Sequence, residues 1–257
     1  MSEEVVRYEL RGHVALATID RPEARNAISP EVAAGIEAAL DRIEGDDEVW
    51  VGILTGTPPS FSAGADLKAI GAGRGAELAT ERGGFAGIVK RERAKPLIAA
   101  VDGFALAGGT EIVLACDLVV ASRVSTFGLP EVKRGLIAAA GGLFRLPRKL
   151  PTNVAMEAVL TGDPIGAERA HELGFVNELC DQGVAGEAAF ALAERIRVNA
   201  PVAVRESRAV VVESAGLDES GAWERTAAAA ARAAATEDVK EGVLAFTEKR
   251  APRWQGR

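Results

Sequence analysis

Two runs of small residues and a pair of glutamates are where this chain could do chemistry. The runs are Phe61-Ser62-Ala63-Gly64-Ala65-Asp66-Leu67 and Gly103-Phe104-Ala105-Leu106-Ala107-Gly108-Gly109-Thr110-Glu111. Small residues let backbone N–H groups come close to a ligand, and a helix opening at Gly108 presents unpaired N–H groups with a partial positive charge. Two such amides aimed at one oxygen would stabilise an oxyanion. Taken alone, either run is more simply a tight turn, and spacing does not show whether they converge. Glu111 falls in the first turn of the expected helix, where it also complements the dipole. Glu131 follows Pro130, an ordinary way to start a helix on a surface. Asp117, at the far end of the Glu111 helix, reads as structural.

Other candidates are weaker. Gly71-Ala72-Gly73-Arg74-Gly75-Ala76 fits a dinucleotide fingerprint, but no convincing strand precedes it and no convincing helix follows. Ser62 lacks the flanking glycine of a nucleophile elbow. The two histidines, His13 and His171, lie beside a turn and on a helical pattern, and they are too few for a His-rich metal site, so no metal is expected. Cys116 and Cys180 read as free thiols of a reducing compartment.

The elements that must carry these residues alternate. Val5 to Leu10 and Val14 to Ile19 read as strands around Arg11-Gly12. Ser29-Pro30 caps a helix with Val32, Ile36, Leu40 and Ile43 at helical spacing. Trp50 to Thr55, Leu97 to Val101 and Leu118 to Ala121 are apolar strands, and Gly108 to Cys116 is the helix between the last two. This pattern predicts α/β architecture with stacked turns. Ala69 to Gly87, with six glycines, reads as a mobile loop or weak helix of little bulk. Beyond Pro151 the chain turns helical: Met156 to Leu160, Ala167 to Leu173, Val184 to Val198, Val202 to Glu213, Glu219 to Ala235 and Val239 to Lys249.

Composition bounds the partners. With 257 residues and 48% hydrophobic content, the chain can bury a sizeable core. Glycine is abundant at 28 residues, against roughly 18 from an average usage near 7%. The net charge of −7, without a basic stripe, argues against nucleic acid. The acidic start MSEEVVRYEL is unlike a signal peptide, and no apolar run reaches the roughly 18 residues of a membrane span. A soluble, cytoplasmic protein is expected.

The stretch from Lys95 to Arg148, which contains KPLIAAVDGFALAGGTEIVLACD and GLPEVKRG, resembles the signature region of the crotonase (enoyl-CoA hydratase/isomerase) superfamily. FSAGADLK from Phe61, RPEARNAIS from Arg21, LTGDPIGAERAHELGFVNE from Leu160 and the closing AFTEKRAPRW are similar to further family segments. The resemblance runs through essentially the whole chain in order. It implies a crotonase-type ββα spiral core over residues 1–195 and a C-terminal helical trimerisation domain over 196–257. It also implies a homotrimer or dimer of trimers.

The family's oxyanion-hole amides match Ala65 and Gly108. Its two glutamates match Glu111, expected to activate water for attack at Cβ, and Glu131, expected to exchange the proton at Cα. Such a pair in a dry pocket should titrate as a coupled acid and base. The implied reaction is reversible syn hydration of a 2-enoyl-CoA in fatty acid metabolism, with coenzyme A as part of the substrate and no separate cofactor. By the same resemblance, Ala24 and Arg25, and the backbone from Ala63 through Ala65, Asp66 and Leu67 to Lys68, line the CoA. Phe246 and Lys249 match positions that reach a neighbour's adenine end.

Where many close hydratases carry Pro-Gly-Ala-Gly-Gly, this chain has Ala138-Ala139-Ala140-Gly141-Gly142. Its GLPEVKRG and C-terminal segments also resemble the carnitinyl-CoA dehydratase branch. An isomerase using Glu131 alone and a silent acyl-CoA binder are the other rivals, and retention of both glutamates argues against each.

Overall fold

A computed structural model describes residues 4–257. The chain opens with β1 (Val6–Arg11) and β2 (Val14–Ile19), paired antiparallel about a turn in which Gly12 takes a φ of +59°. Next comes α1 (Pro30–Gly45). The Ser29 side chain accepts the Val32 N–H and Pro30 takes the first helical position, so the first turn is closed before it begins. Val32, Ile36, Leu40 and Ile43 form its buried stripe.

The core is then built by winding. β3 (Val51–Gly56) leads to β4 (Ser60–Ser62), α2 (Leu67–Gly71), and a small hairpin of β5 (Ala79–Thr80) and β6 (Gly84–Phe85). β7 (Leu97–Val101), β8 (Phe104–Leu106) and α3 (Gly108–Ala115) make the next turn, and β9 (Leu118–Ser122) with β10 (Thr126–Gly128) the one after. α4 (Gly142–Lys149), α5 (Thr152–Thr161), β11 (Ile165–Gly166), α6 (Ala167–Glu172) and β12 (Glu178–Cys180) follow. Each turn contributes one longer strand to a six-stranded sheet ordered β1-β2-β3-β7-β9-β12. It contributes one short strand to a four-stranded sheet ordered β11-β10-β8-β4. Pairing between successive turns is parallel in both sheets except at the edge, where β11 joins β10 antiparallel.

Alternation along the strands divides the core. Val51, Ile53, Ile98, Ala100 and Val120 point to the outer face, where α7 (Ala185–Arg197) covers them with Ala185, Ala189, Leu192 and Ala193. Leu54, Leu97, Ala99, Val101, Val119 and Ala121 point inward to the main core with Phe61, Ile112 and Val113. Strands buried on both faces explain why β7 reads as an unbroken apolar run. The chain closes with α8 (Pro201–Ser214), α9 (Glu219–Ala234) and α10 (Glu237–Glu248).

Between residues 69 and 87 the structure departs from the expected loose loop. Asp66 caps α2, a 3-10 turn spans Gly75–Leu78, and the β5–β6 hairpin is pinned to α1, where Glu37 accepts from the Thr80 hydroxyl and the Gly83 N–H. The glycines serve close contact: a Cβ on Gly87 would lie 2.5 Å from the Ala33 carbonyl.

Candidate active site

The two small-residue runs meet. A Cβ on Gly64, whose φ is +86°, would stand 2.8 Å from the Gly108 nitrogen and 2.9 Å from the Leu106 carbonyl. Only glycine permits this approach. The Ala63–Asp66 turn is fixed from beneath by the loop after Arg21. Ile28 N–H donates to Gly64 O at 2.8 Å, Asp66 N–H to Ile28 O at 3.0 Å, and Ala63 N–H to Arg25 O at 3.0 Å. Arg25 and Asn26 both adopt left-handed backbone, and the Asn26 amide holds the Thr57 and Ser60 carbonyls. The Ala24–Arg25 segment is thereby placed beside the Ala65 turn.

Gly108 begins α3 behind a strained residue. Ala107 sits at φ 52°, ψ −126°, a conformation a side chain disfavours by about 1–3 kcal/mol. Surrounding bonds hold it there: Ala107 N–H donates to Gly128 O at 2.8 Å, and the Thr110 hydroxyl lies 2.6 Å from Ala105 O while accepting the Gly128 N–H at 3.0 Å. Neither the Ala65 nor the Gly108 N–H finds an acceptor among the described residues. Two free amides side by side, one at a helix N-terminus, are the makings of an oxyanion hole.

Both glutamates border this corner. Glu111, one turn into α3, is only 3% exposed, and its Oε1 accepts the Gly142 N–H at 2.9 Å. Burial pushes its carboxyl above the usual range; the Gly142 N–H pulls the other way, and the Glu131 charge raises it further. Glu131 lies on a 3-10 turn, Pro130–Arg134, that directly follows β10. Burial raises its carboxyl too, and its Oε2 is buried without any hydrogen-bond partner. An orphaned carboxylate oxygen of this kind is costly unless it carries a proton or meets a ligand.

Several contributors escaped the sequence reading. Gly142 opens α4, a helix not anticipated because Pro147 interrupts it and its start is glycine-rich. Arg145, from that helix, donates to Val89 O at 2.6 Å and reaches Ala140 O at 3.3 Å, tying the turn that serves Glu111 to the segment behind β6. Phe85 is the correction to the loop of little bulk: a Cβ on Gly108 would fall 2.5 Å from its ring. The signal was present, since Phe85 is the single aromatic in the segment, but its direction was not.

The remaining expected site residues are placed as follows. Asp66 uses its carboxylate internally, capping α2 through the Lys68 N–H at 2.9 Å and pairing with Arg21 at 3.2 Å. Burial would raise that carboxyl, yet these partners hold it low. Leu67 and Lys68 are exposed on α2, beside the turn. Phe246 is 87% exposed on α10, and Lys249 caps that helix in left-handed backbone.

His13 stacks on Trp50 and His171 bonds the Val176 carbonyl, both structural placements. The Gly71–Ala76 fingerprint falls on the end of α2 and a 3-10 turn, not on a strand-to-helix crossing. No group of three or more His, Cys, Asp or Glu gathers as a metal site among the described residues, and no helix there is long and apolar enough to cross a membrane.

Known proteins share this fold. The family described as enoyl-CoA hydratase/isomerase matches over residues 9–257. An enoyl-CoA hydratase structure from Mycobacterium tuberculosis H37Rv superimposes with a TM-score of 0.96 at 47% identity, covering 99% of this chain and 100% of the other. A carnitinyl-CoA hydratase structure from Mycobacterium avium matches at 47% identity and a TM-score of 0.78, covering all of both chains. Mevalonyl-coenzyme A hydratase sidH of Aspergillus fumigatus is 39% identical over 95% of this chain and 92% of its own length. With the same fold and a family match over residues 9–257, the chain belongs to the enoyl-CoA hydratase/isomerase family.

Proposed function

We propose that the protein catalyses reversible syn hydration of a 2-enoyl-CoA. The thioester oxygen accepts the free N–H groups of Ala65 and Gly108, which stabilise the enolate-like charge formed on addition, each contributing about 3 kcal/mol in the transition state. Glu111, whose ionised form the Gly142 N–H supports, takes a proton from water as the oxygen bonds to Cβ. Glu131, with its partnerless Oε2, holds a proton and delivers it to Cα. Proton count balances: one enters Glu111, one leaves Glu131, and exchange with solvent resets the pair. The observation that carries this reading is the junction of two unpaired amides with two carboxyls that burial holds above the usual carboxylate range.

Ala24, Arg25 and the Ala63–Lys68 backbone form the CoA path in this reading. Exposed Trp223, Val243 and Phe246 on the C-terminal helices provide an assembly surface. A trimer, or a dimer of trimers, would bring Phe246 and Lys249 to a neighbour's CoA.

A second substrate reading rests on Phe85, whose ring at Gly108 could face the quaternary ammonium of a carnitinyl thioester. Of the two acidic candidates for such a cation, Glu77 is engaged by Arg74 and Glu81 is exposed on the β5–β6 turn, so straight-chain enoyl thioesters rank first. The experiment is kcat/KM for thioesters from crotonyl-CoA to dodecenoyl-CoA beside crotonobetainyl-CoA. Higher values for the straight-chain series are expected; a strong preference for crotonobetainyl-CoA reverses the ranking, and no hydration of any member refutes the function.

A further inference from the structure

At the opposite end of α3 from Glu111, a groove of about 940 Å³ runs between the ends of α3 and α4 and the faces of α7 and α8. The mechanism above does not use it. Its walls are mainly aliphatic, with Leu114, Leu118, Leu192, Ile196 and Val204 among them. Its charge is one-sided: seven cationic side chains line it, against a single acid, Asp117.

Asp117 is consumed by Arg93 and Arg208. Arg195 is taken by Glu178, and Arg145 by backbone carbonyls. Three cations remain. Neither Arg148 nor Lys149 makes an ion pair among the described residues, Arg148 lying 5.5 Å from the Phe144 ring centroid. Arg91 has a side chain only 9% exposed; its Nη2 pairs with Asp41, while Nε and Nη1 are buried with no acceptor. A buried guanidinium edge without an acceptor is a costly feature for a fold to keep.

We infer that this groove binds an amphipathic organic carboxylate, its head on Arg91 with Arg148 and Lys149 alongside, and its aliphatic body along α7 and α8. The guanidinium fork matches carboxylate geometry, and the aliphatic walls match a hydrocarbon chain. A second copy of the chain is the less suited occupant: the exposed aromatics that offer an assembly surface, Trp223 and Phe246, lie outside the groove.

The test is calorimetric titration of the full-length protein with dodecanoate below its micelle concentration, with dodecanol and inorganic phosphate as comparison probes. Saturable dodecanoate binding is expected, with affinity reduced at least about tenfold in Arg91→Met and in Arg148→Gln. Ala203→Trp, which fills the groove far from the thioester site, should abolish it. Retained binding in Ala203→Trp would place the ligand elsewhere and overturn the inference, as would equal affinity for dodecanol. Displacement of dodecanoate by equimolar phosphate would reduce the groove to a simple anion site and also overturn it. If wild type binds nothing while Ala203→Trp changes the mass of the assembly, the groove belongs to a second copy. The readout is binding, so it stands or falls separately from hydratase turnover.

Discussion

The two ends of α3 carry one carboxylate each, Glu111 buried and Asp117 partly buried, and they are treated in opposite ways. At the C-terminal end, the Asp117 Oδ2 meets Arg93 Nη1 at 3.0 Å, Arg208 Nε at 2.9 Å and the Leu97 N–H at 2.9 Å. Burial would raise its carboxyl, but these partners hold it below the usual range. At the N-terminal end Glu111 has the Gly142 N–H and a like charge nearby, and it is held high. The same helix thus ends in a multiply bonded ion cluster and begins in a strained, under-satisfied corner that includes Ala107, two free amides and the Glu131 Oε2. Satisfaction marks the carboxylate that holds the fold, and its absence marks the one available for proton transfer.

That contrast is broken most severely at the oxyanion corner. In a Phe85→Leu background, where the ring no longer meets an added Cβ, Gly108→Ala keeps the N–H while Gly108→Pro removes it. Proline suits the first position of a helix, so α3 should survive. The Pro variant should lose at least about 10²-fold in kcat/KM relative to the Ala variant. Equal rates would remove Gly108 from the oxyanion hole.

Asp117→Asn should have the converse effect, lowering stability by roughly 3 kcal/mol because two arginines lose the charge of a partly buried partner. Its kcat should stay within about twofold of wild type, the site being distant. Because the Asp117 carboxyl is held low, its contribution is present above the ordinary carboxylate range and is lost as pH falls through the folded-state value. Chemical denaturation as a function of pH should show the wild-type advantage closing in acid. A large kcat loss without a stability change would invert the contrast.

The smallest effect is a gain. Glu111 is held high, so its stabilising contribution is complete in acid and lost as pH rises through its folded-state value. Glu111→Gln should therefore raise Tm at pH 8 by on the order of 2 °C, with the gain vanishing in acid. A variant less stable than wild type at pH 8 would show that Glu111, like Asp117, holds the fold.

What was legible in the sequence follows the reach of the forces involved. β1, β2, α1 and the central strands declare themselves through alternation, helical spacing and the Ser29-Pro30 cap, all local signals. β4, β8 and β10 are three residues each and exist because successive turns stack them in register, which no local pattern reports. At the site, Glu111, Glu131, Ala65 and Gly108 are assigned by family resemblance, and spacing alone does not report the meeting of Gly64 with Gly108. Gly142 and Arg145 remained hidden because their roles depend on where α4 lands against α3. Phe85 was visible as a residue but not as a wall, since a glycine-rich segment gives no sign of which way its one ring points.

The central claim is that Glu111 and Glu131 share the proton transfers of hydration while neither is needed to bind the thioester. The direct measurement is steady-state hydration of crotonyl-CoA by wild type, Glu111→Gln and Glu131→Gln, beside equilibrium binding of butanoyl-CoA to each. Each variant should lose at least about 10²-fold in kcat with binding nearly unchanged. Near wild-type hydration by Glu111→Gln would contradict the two-carboxylate account.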